Sequence, residues 1–257
     1  MSIDTLGLRE QKKRETRQAI SDHATQLFLE RGFDRTTIAD IAAAARVAKM
    51  TVTNYFPRKE DLALDHHEAF VAGLAEAVAG RAPGESALDA VRRAFLGALE
   101  RRDPVIGFTG WDFARMIADS PTLVARLRDL HDQREEALAA QLATEPPTQA
   151  TPTTLATVTP AIPATLATPA TDTPATPTTP ATLATSAAAA AMDDRGRRLA
   201  ARAVAAQLAA ADRLLFRELQ SRTLAGDDDD TIAAALAETA QHVFTLLEPA
   251  IGEYARR

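Results

Sequence analysis

Apolar positions recur at helical spacing along almost the whole chain. Ile20, Ala24, Leu27 and Phe28 form one stripe, on a first helix predicted from about Arg9 to Arg31. Gly32 is placed to end that helix in a left-handed conformation, with Phe33 folding back on the stripe. A short helix follows, with Thr37 as its N-cap and Asp40 three positions on in a variant of the capping box. Ile38, Ile41, Ala42 and Ala45 supply its apolar face. A turn at Arg46-Val47-Ala48 leads into a second short helix, Lys49 to about Tyr55, before Pro57 breaks the pattern. A longer helix is predicted from Lys59 to about Ala79, through Leu62, Phe70, Leu74 and Val78, and Arg81-Ala82-Pro83-Gly84 stops it.

A second helical block opens near Ser86, with Leu88, Val91, Phe95, Ala98 and Leu99 on one helix. Asp103-Pro104 has the form of a helix start, and the helix predicted from it carries Phe108, Trp111 and Met116. Ser120-Pro121 repeats that signal, and Leu123, Leu127, Leu130 and Leu138 continue to about Ala143. Composition then changes: residues 144–191 are almost entirely Pro, Thr and Ala, with Thr-Leu-Ala-Thr beginning at Thr154, Thr165 and Thr182. Frequent Pro and few large apolar groups predict a disordered linker over 144–191. Two more helices close the chain, Asp193 to about Leu224 and, after an acidic start at Asp227–Asp230, a last one ending near Pro249.

Composition agrees with an all-α protein. Hydrophobic residues make up 46% of the chain but aromatics only 5%, and alanine supplies much of the remainder, which favours close-packed helices over sheet. The absence of cysteine removes disulfide and thiolate chemistry. No signal-like or membrane-spanning apolar run is legible, so a cytoplasmic protein with no membrane partner is expected. The net charge of −6 argues against a nucleic-acid partner, yet its distribution reverses that. Residues 9–59 hold 11 Lys and Arg against 6 Asp and Glu, whereas residues 60–257 hold 18 against 28. A basic head on an acidic body would approach a polyanion head first.

Residues 37–56 carry the functional signal. Ile38, Ile41, Ala42, Val47 and Val52 let two short helices pack at a fixed angle. The second helix then has a face left over: Lys49, Met50, Thr51, Thr53 and Asn54. A helix of this size fits the major groove, where such side chains meet base edges. The stretch Thr36-Thr-Ile-Ala-Asp-Ile-Ala, then Thr51-Val-Thr-Asn-Tyr-Phe, then Pro57-Arg-Lys-Glu-Asp-Leu62 resembles the DNA-binding domain of the tetracycline-repressor (TetR) family. The resemblance spans roughly Arg14 to Leu74. It implies phosphate contacts from Thr37, Thr51, Tyr55 and Lys59, and places Lys49, Met50, Thr53 and Asn54 near bases. Arg46 stands where the family often has Gly, Ala48 where a capping Ser is common, and Thr53 where an aromatic is frequent. These departures bear on operator sequence.

The resemblance also implies the organisation: an arm over residues 1–13, a helix-turn-helix domain over 14–74, and a ligand-binding and dimerisation domain over 75–143 and 192–257. Phe95, Phe108, Trp111, Phe113 and Met116, with Arg115 and His131, are the expected ligand pocket, suited to a small apolar or aromatic effector. Val204, Leu208, Ala211, Leu215, Leu236, Val243 and Leu247 are the expected interface of a homodimer that reads palindromic double-stranded DNA. No catalytic constellation is legible. No metal site is expected either, since His66 and His67 are adjacent on a helix and point about 100° apart. No cofactor is expected. The functional expectation is a transcriptional repressor released by a small molecule. The alternatives are a constitutive architectural DNA-binding protein and a helical protein-interaction scaffold.

Overall fold

A computed structural model describes residues 3–144 and 182–256, with side chains described over 7–144 and 194–256. Residues 145–181, most of the expected linker, lie outside the described residues. Every regular element among the described residues is helical. The head comprises α1 (Ile3–Arg31), α2 (Ile38–Ala44), α3 (Lys49–Tyr55) and α4 (Lys59–Ala63). The body comprises α5 (His67–Ala79), α6 (Ala87–Glu100), α7 (Trp111–Asp119), α8 (Pro121–Ala143), α9 (Thr182–Ala225) and α10 (Asp229–Ile251).

Local chemistry sets most of these boundaries. Gly32 takes φ +87° after α1, and the Phe33 ring lies 5.1 Å from that of Phe28. Thr37 caps α2 in a complete capping box with Asp40. Ser86 does the same for α6 with Asp89, and Ser120 caps α8 ahead of Pro121. The Asp228 carboxylate accepts from the Asp230 and Thr231 amides at the start of α10, which continues past Pro249 to Ile251.

Four expectations are corrected. The arm expected over residues 1–13 is helical from Ile3, consistent with its run of Glu, Gln, Lys and Arg, all good helix formers. The single helix expected from Lys59 to Ala79 is broken at Leu64–His66. There the Ser21 hydroxyl meets the Asp65 carboxylate at 2.6 Å, a tertiary contact that competes with helical continuity. Asp103-Pro104 opens only a 3-10 turn, Pro104–Ile106, because Gly107 at φ +118° ends it, so Phe108 sits outside any helix. Finally, the expected linker ends earlier than residue 191, since α9 is already helical at Thr182.

Two clusters hold the fold together. Ile20, Phe28, Phe33, Ile41, Val52, Phe56 and Leu62 form the head core, joined by Ile117 of α7 and Leu123 of α8. Leu88, Phe95, Leu138, Leu208, Leu215, Leu236 and Phe244 anchor the body core. Head and body are also tied by charge: the Arg126 guanidinium of α8 reaches the Asp61 carboxylate of α4 at 2.8 Å, both largely buried. Deeper in the body, Arg134 of α8 forms a two-pronged bond to Asp212 of α9, at 3.0 and 3.1 Å. It also donates to the Phe70 carbonyl of α5.

The seven side chains expected at a dimer interface belong to the protomer itself. Val204, Leu208, Ala211, Leu215 and Leu236 are buried in the body core, and Val243 and Leu247 pack against it. Helical spacing marks a buried stripe but does not say whether the covering helix is the chain's own.

Candidate nucleic-acid interface and adjoining cavity

The second short helix is anchored by one face only. Val52 is fully buried under α1 and α2, and Phe56 after its last residue is buried beside it. The turn before it takes the strained form expected of a non-glycine residue: Arg46 adopts φ +56°, a region where glycine is at ease and other residues are not. Ala48 occupies the N-cap with extended backbone but offers no side-chain acceptor.

Opposite Val52, α3 presents Met50 and Asn54 to solvent, with Met50 70% exposed, and Lys49 is exposed in its first turn. Thr51, Thr53 and Tyr55 are half-buried at its edges. The Thr53 hydroxyl donates back to the Met50 carbonyl at 3.1 Å. Arg46 and Arg58 are exposed on either side and extend the positive rim.

Two residues expected at phosphates have internal bonds. The Thr37 hydroxyl donates to the Asp40 carboxylate at 2.6 Å and accepts from the Asp40 amide. The hydroxyl bond, with a second from the Thr37 amide at 2.9 Å, holds the Asp40 carboxyl below the usual carboxylate range. The Lys59 ammonium donates to the Phe33 and Thr36 carbonyls at 2.9 and 3.1 Å and sits 4.1 Å from the centre of the Phe33 ring. An ammonium has three protons, so the two carbonyl bonds leave one donor over. The spacing of Lys59 was legible in sequence; its second role, closing the loop between α1 and α2, was not.

The residues expected to line one ligand pocket are dispersed. Phe95 and Phe108 lie in the body core. Trp111 is 48% exposed, and with Arg115 and Met116 it borders a surface cleft against the end of α1. His131 is wedged edge-on between Phe70 and Phe216, with ring centres 5.0 and 5.2 Å away. Burial, reinforced by the neighbouring Arg213, Arg134 and Arg217, lowers its imidazole to about 4 against the opposing pull of Asp212. Of the expected set only Phe113 reaches the apolar cavity between head and body. That cavity is open to solvent on one side, has a volume of about 70 Å³, and is bounded by Leu64, Phe70, Leu127, Leu130 and Phe216, with Asp65, His66, His67, Thr109 and Gln220 as polar neighbours. Its wall includes the whole α4–α5 bend. A sequence pattern could not assemble it, because its parts come from five separated segments.

No group of side chains suited to hold a metal ion occurs among the described residues. No helix among them is long and apolar enough to cross a membrane.

Residues 20–65 match the family model of bacterial regulatory proteins, tetR family. The chain is 33% identical over 142 residues to the HTH-type transcriptional regulator TcmR of Streptomyces glaucescens; the match takes in 53% of this chain and 63% of the relative's length. A TetR-family regulator from Streptomyces coelicolor A3 shares 21% identity and a TM-score of 0.42, over 90% of this chain and 94% of that one. The repressor FadR of Thermus thermophilus, solved with lauroyl-CoA, shares 19% identity and a TM-score of 0.38, over 89% and 93%.

Proposed function

Because residues 20–65 match the family model of bacterial regulatory proteins, tetR family, we propose that the protein is a transcriptional regulator of that family that binds duplex DNA as a homodimer. One observation carries this reading: α3 is fixed through Val52 while its opposite face offers Met50 and Asn54 to solvent, with Lys49 exposed in its first turn. A helix anchored in this way can enter the major groove without disturbing the head core. Lys49 suits guanine or phosphate, and Asn54 suits adenine. Tyr55 and the remaining proton of Lys59 lie where they can position the backbone.

A single short helix reads few base pairs, so two heads on a palindrome are needed, spaced about 34–36 Å or a multiple. The outward face of α9 supports such pairing. Leu199, Ala203, Ala206, Ala210 and Leu214 follow one another at helical spacing and are partly or fully exposed, as is Leu246 on α10. The small alanines allow close approach of a second copy.

The cavity at the α4–α5 bend supports a small apolar effector as the controlling ligand, with repression relieved on binding. Its walls belong to both head and body, so an occupant would favour one orientation of the heads over another. Such an effector acts only through differential affinity for the two arrangements. The experiment is selection of bound duplexes from a random DNA pool, followed by salt titration. A palindromic consensus bound with steep salt dependence is expected. A protein that retains no duplex at low salt would end this reading.

A further inference from the structure

We propose that the N-terminal half of α1 is a second DNA-contacting element, a basic rod that grips backbone phosphates beside the bases read by α3. This rests on the reading of the head as a DNA binder.

The helix begins at Ile3; among its described side chains the first buried one is Ile20, and residues 7–15 are exposed throughout. Residues 7–15 add no side chain to the head core. An isolated helix in water is marginal, so a long projection without packing partners gains order from a partner if it has one. Its chemistry selects the partner. Residues 9–17 carry Arg9, Lys12, Lys13, Arg14 and Arg17 against Glu10 and Glu15. Among the described residues, only Arg17 of these cations has an ion-pair partner, Glu68 at 3.7 Å. Leu8 is the only large apolar side chain over residues 7–15, so this stretch lacks the apolar face that a membrane surface requires.

Direction follows from spacing. Arg9, Lys13 and Arg17 precede Ile20, Ala24 and Phe28 on one side of the helix, at intervals of three or four residues. The later three face the head core, so the basic ladder overhangs that same flank instead of pointing away from it. Arg17 marks where the rod leaves the head: its guanidinium lies 4.5 Å from the centre of the Phe56 ring, one residue beyond the end of α3. Exposed Arg58 continues the positive surface there. From Arg17 back to Arg9 the helix covers about 12 Å. Long cations without packed neighbours position a duplex and carry no base information.

The test compares two charge-matched variants of the full chain on a duplex selected by the wild-type protein. One is Arg9→Gln, Lys12→Gln, Lys13→Gln, Arg14→Gln. The other removes four exposed cations of the body away from the outward face of α9: Arg93→Gln, Arg101→Gln, Arg128→Gln, Arg256→Gln. The first is expected to bind at least about tenfold more weakly at moderate salt with unchanged base preference. Its salt slope should be shallower by about 2 or more, since each phosphate left without its cation takes about 0.9 from the slope. The second should match wild type. Equal behaviour of the two variants overturns the proposal while leaving the wild-type reading intact; wild-type protein that binds no duplex removes both. Since the chain has no cysteine, Lys13→Cys can carry a tethered iron chelate that cleaves nearby DNA. Cleavage flanking each half-site is expected, and an uncut backbone there also overturns the proposal, even if the quadruple variant folds poorly.

Discussion

Arg46 and Ala48 sit two residues apart and each departs from what its position favours. Arg46 holds φ +56°, and Ala48 caps α3 with no acceptor. Both departures were readable in sequence because turn and cap chemistry is local. Ala48→Ser should therefore raise stability by about 1 kcal/mol, seen as a higher denaturant midpoint with base preference unchanged. A midpoint at or below wild type would show that the α3 amides are already satisfied by other means. His131 shows the opposite limit. Its place between Phe70 and Phe216 depends on three helices and left no trace in the local pattern. With its folded value near 4 and its ordinary value at 6.5, the imidazole binds its proton more readily when unfolded. The associated stability is complete above about pH 6.5 and is lost as pH falls toward 4. Between pH 7.5 and 5 the loss should be roughly 2 kcal/mol. His131→Phe keeps a ring in the aromatic cluster and should flatten that part of the profile. Denaturant titrations at the two pH values check it, and an unaltered profile would assign the acid sensitivity elsewhere.

Among elements, periodicity identified the helices of both blocks but misjudged continuity where a tertiary bond intervened. The α4–α5 bend is the main case: residues 59–79 have an unbroken apolar rhythm, and the Ser21–Asp65 bond that accompanies the break joins positions far apart in sequence. That bend forms a wall of the cavity, so the candidate effector site was hidden by the same contact. For α3 the pattern was sufficient, because one buried Val52 fixes which residues face outward. Changes at Lys49 and Asn54 should alter preference, and a change at Tyr55 should alter affinity alone. Lys49→Ala and Asn54→Ala are expected to shift preference at the contacted pair by about 1–3 kcal/mol. Tyr55→Phe should weaken every duplex alike. Binding measured against a panel of single-base variants separates the two, and a uniform loss from all three substitutions would contradict the proposed orientation of α3.

At the scale of the whole molecule, α9 must serve two sets of neighbours. Its Val204, Leu208 and Leu215 face is buried inside the protomer, and its Leu199 and Leu214 face remains outside with Leu246 of α10. Sequence periodicity reported an amphipathic helix but could not separate the two stripes, because alanine is acceptable on both. The separation gives a clean test of pairing. Leu214→Glu with Leu246→Glu adds charge only where solvent already reaches, so the helical fold and its melting should stay close to wild type. If the outward stripe joins two copies, four buried carboxylates would face one another in the dimer, a cost that pairing cannot offset. Sedimentation should then report a monomer. Binding to a palindromic duplex should fall at least about tenfold, while binding to an isolated half-site stays as it was. By contrast, Leu208→Glu places a charge inside the protomer core and should unfold the body before any question of pairing arises. A double variant that sediments as a dimer would move the interface off α9 and α10, and with it the arrangement of heads inferred from them.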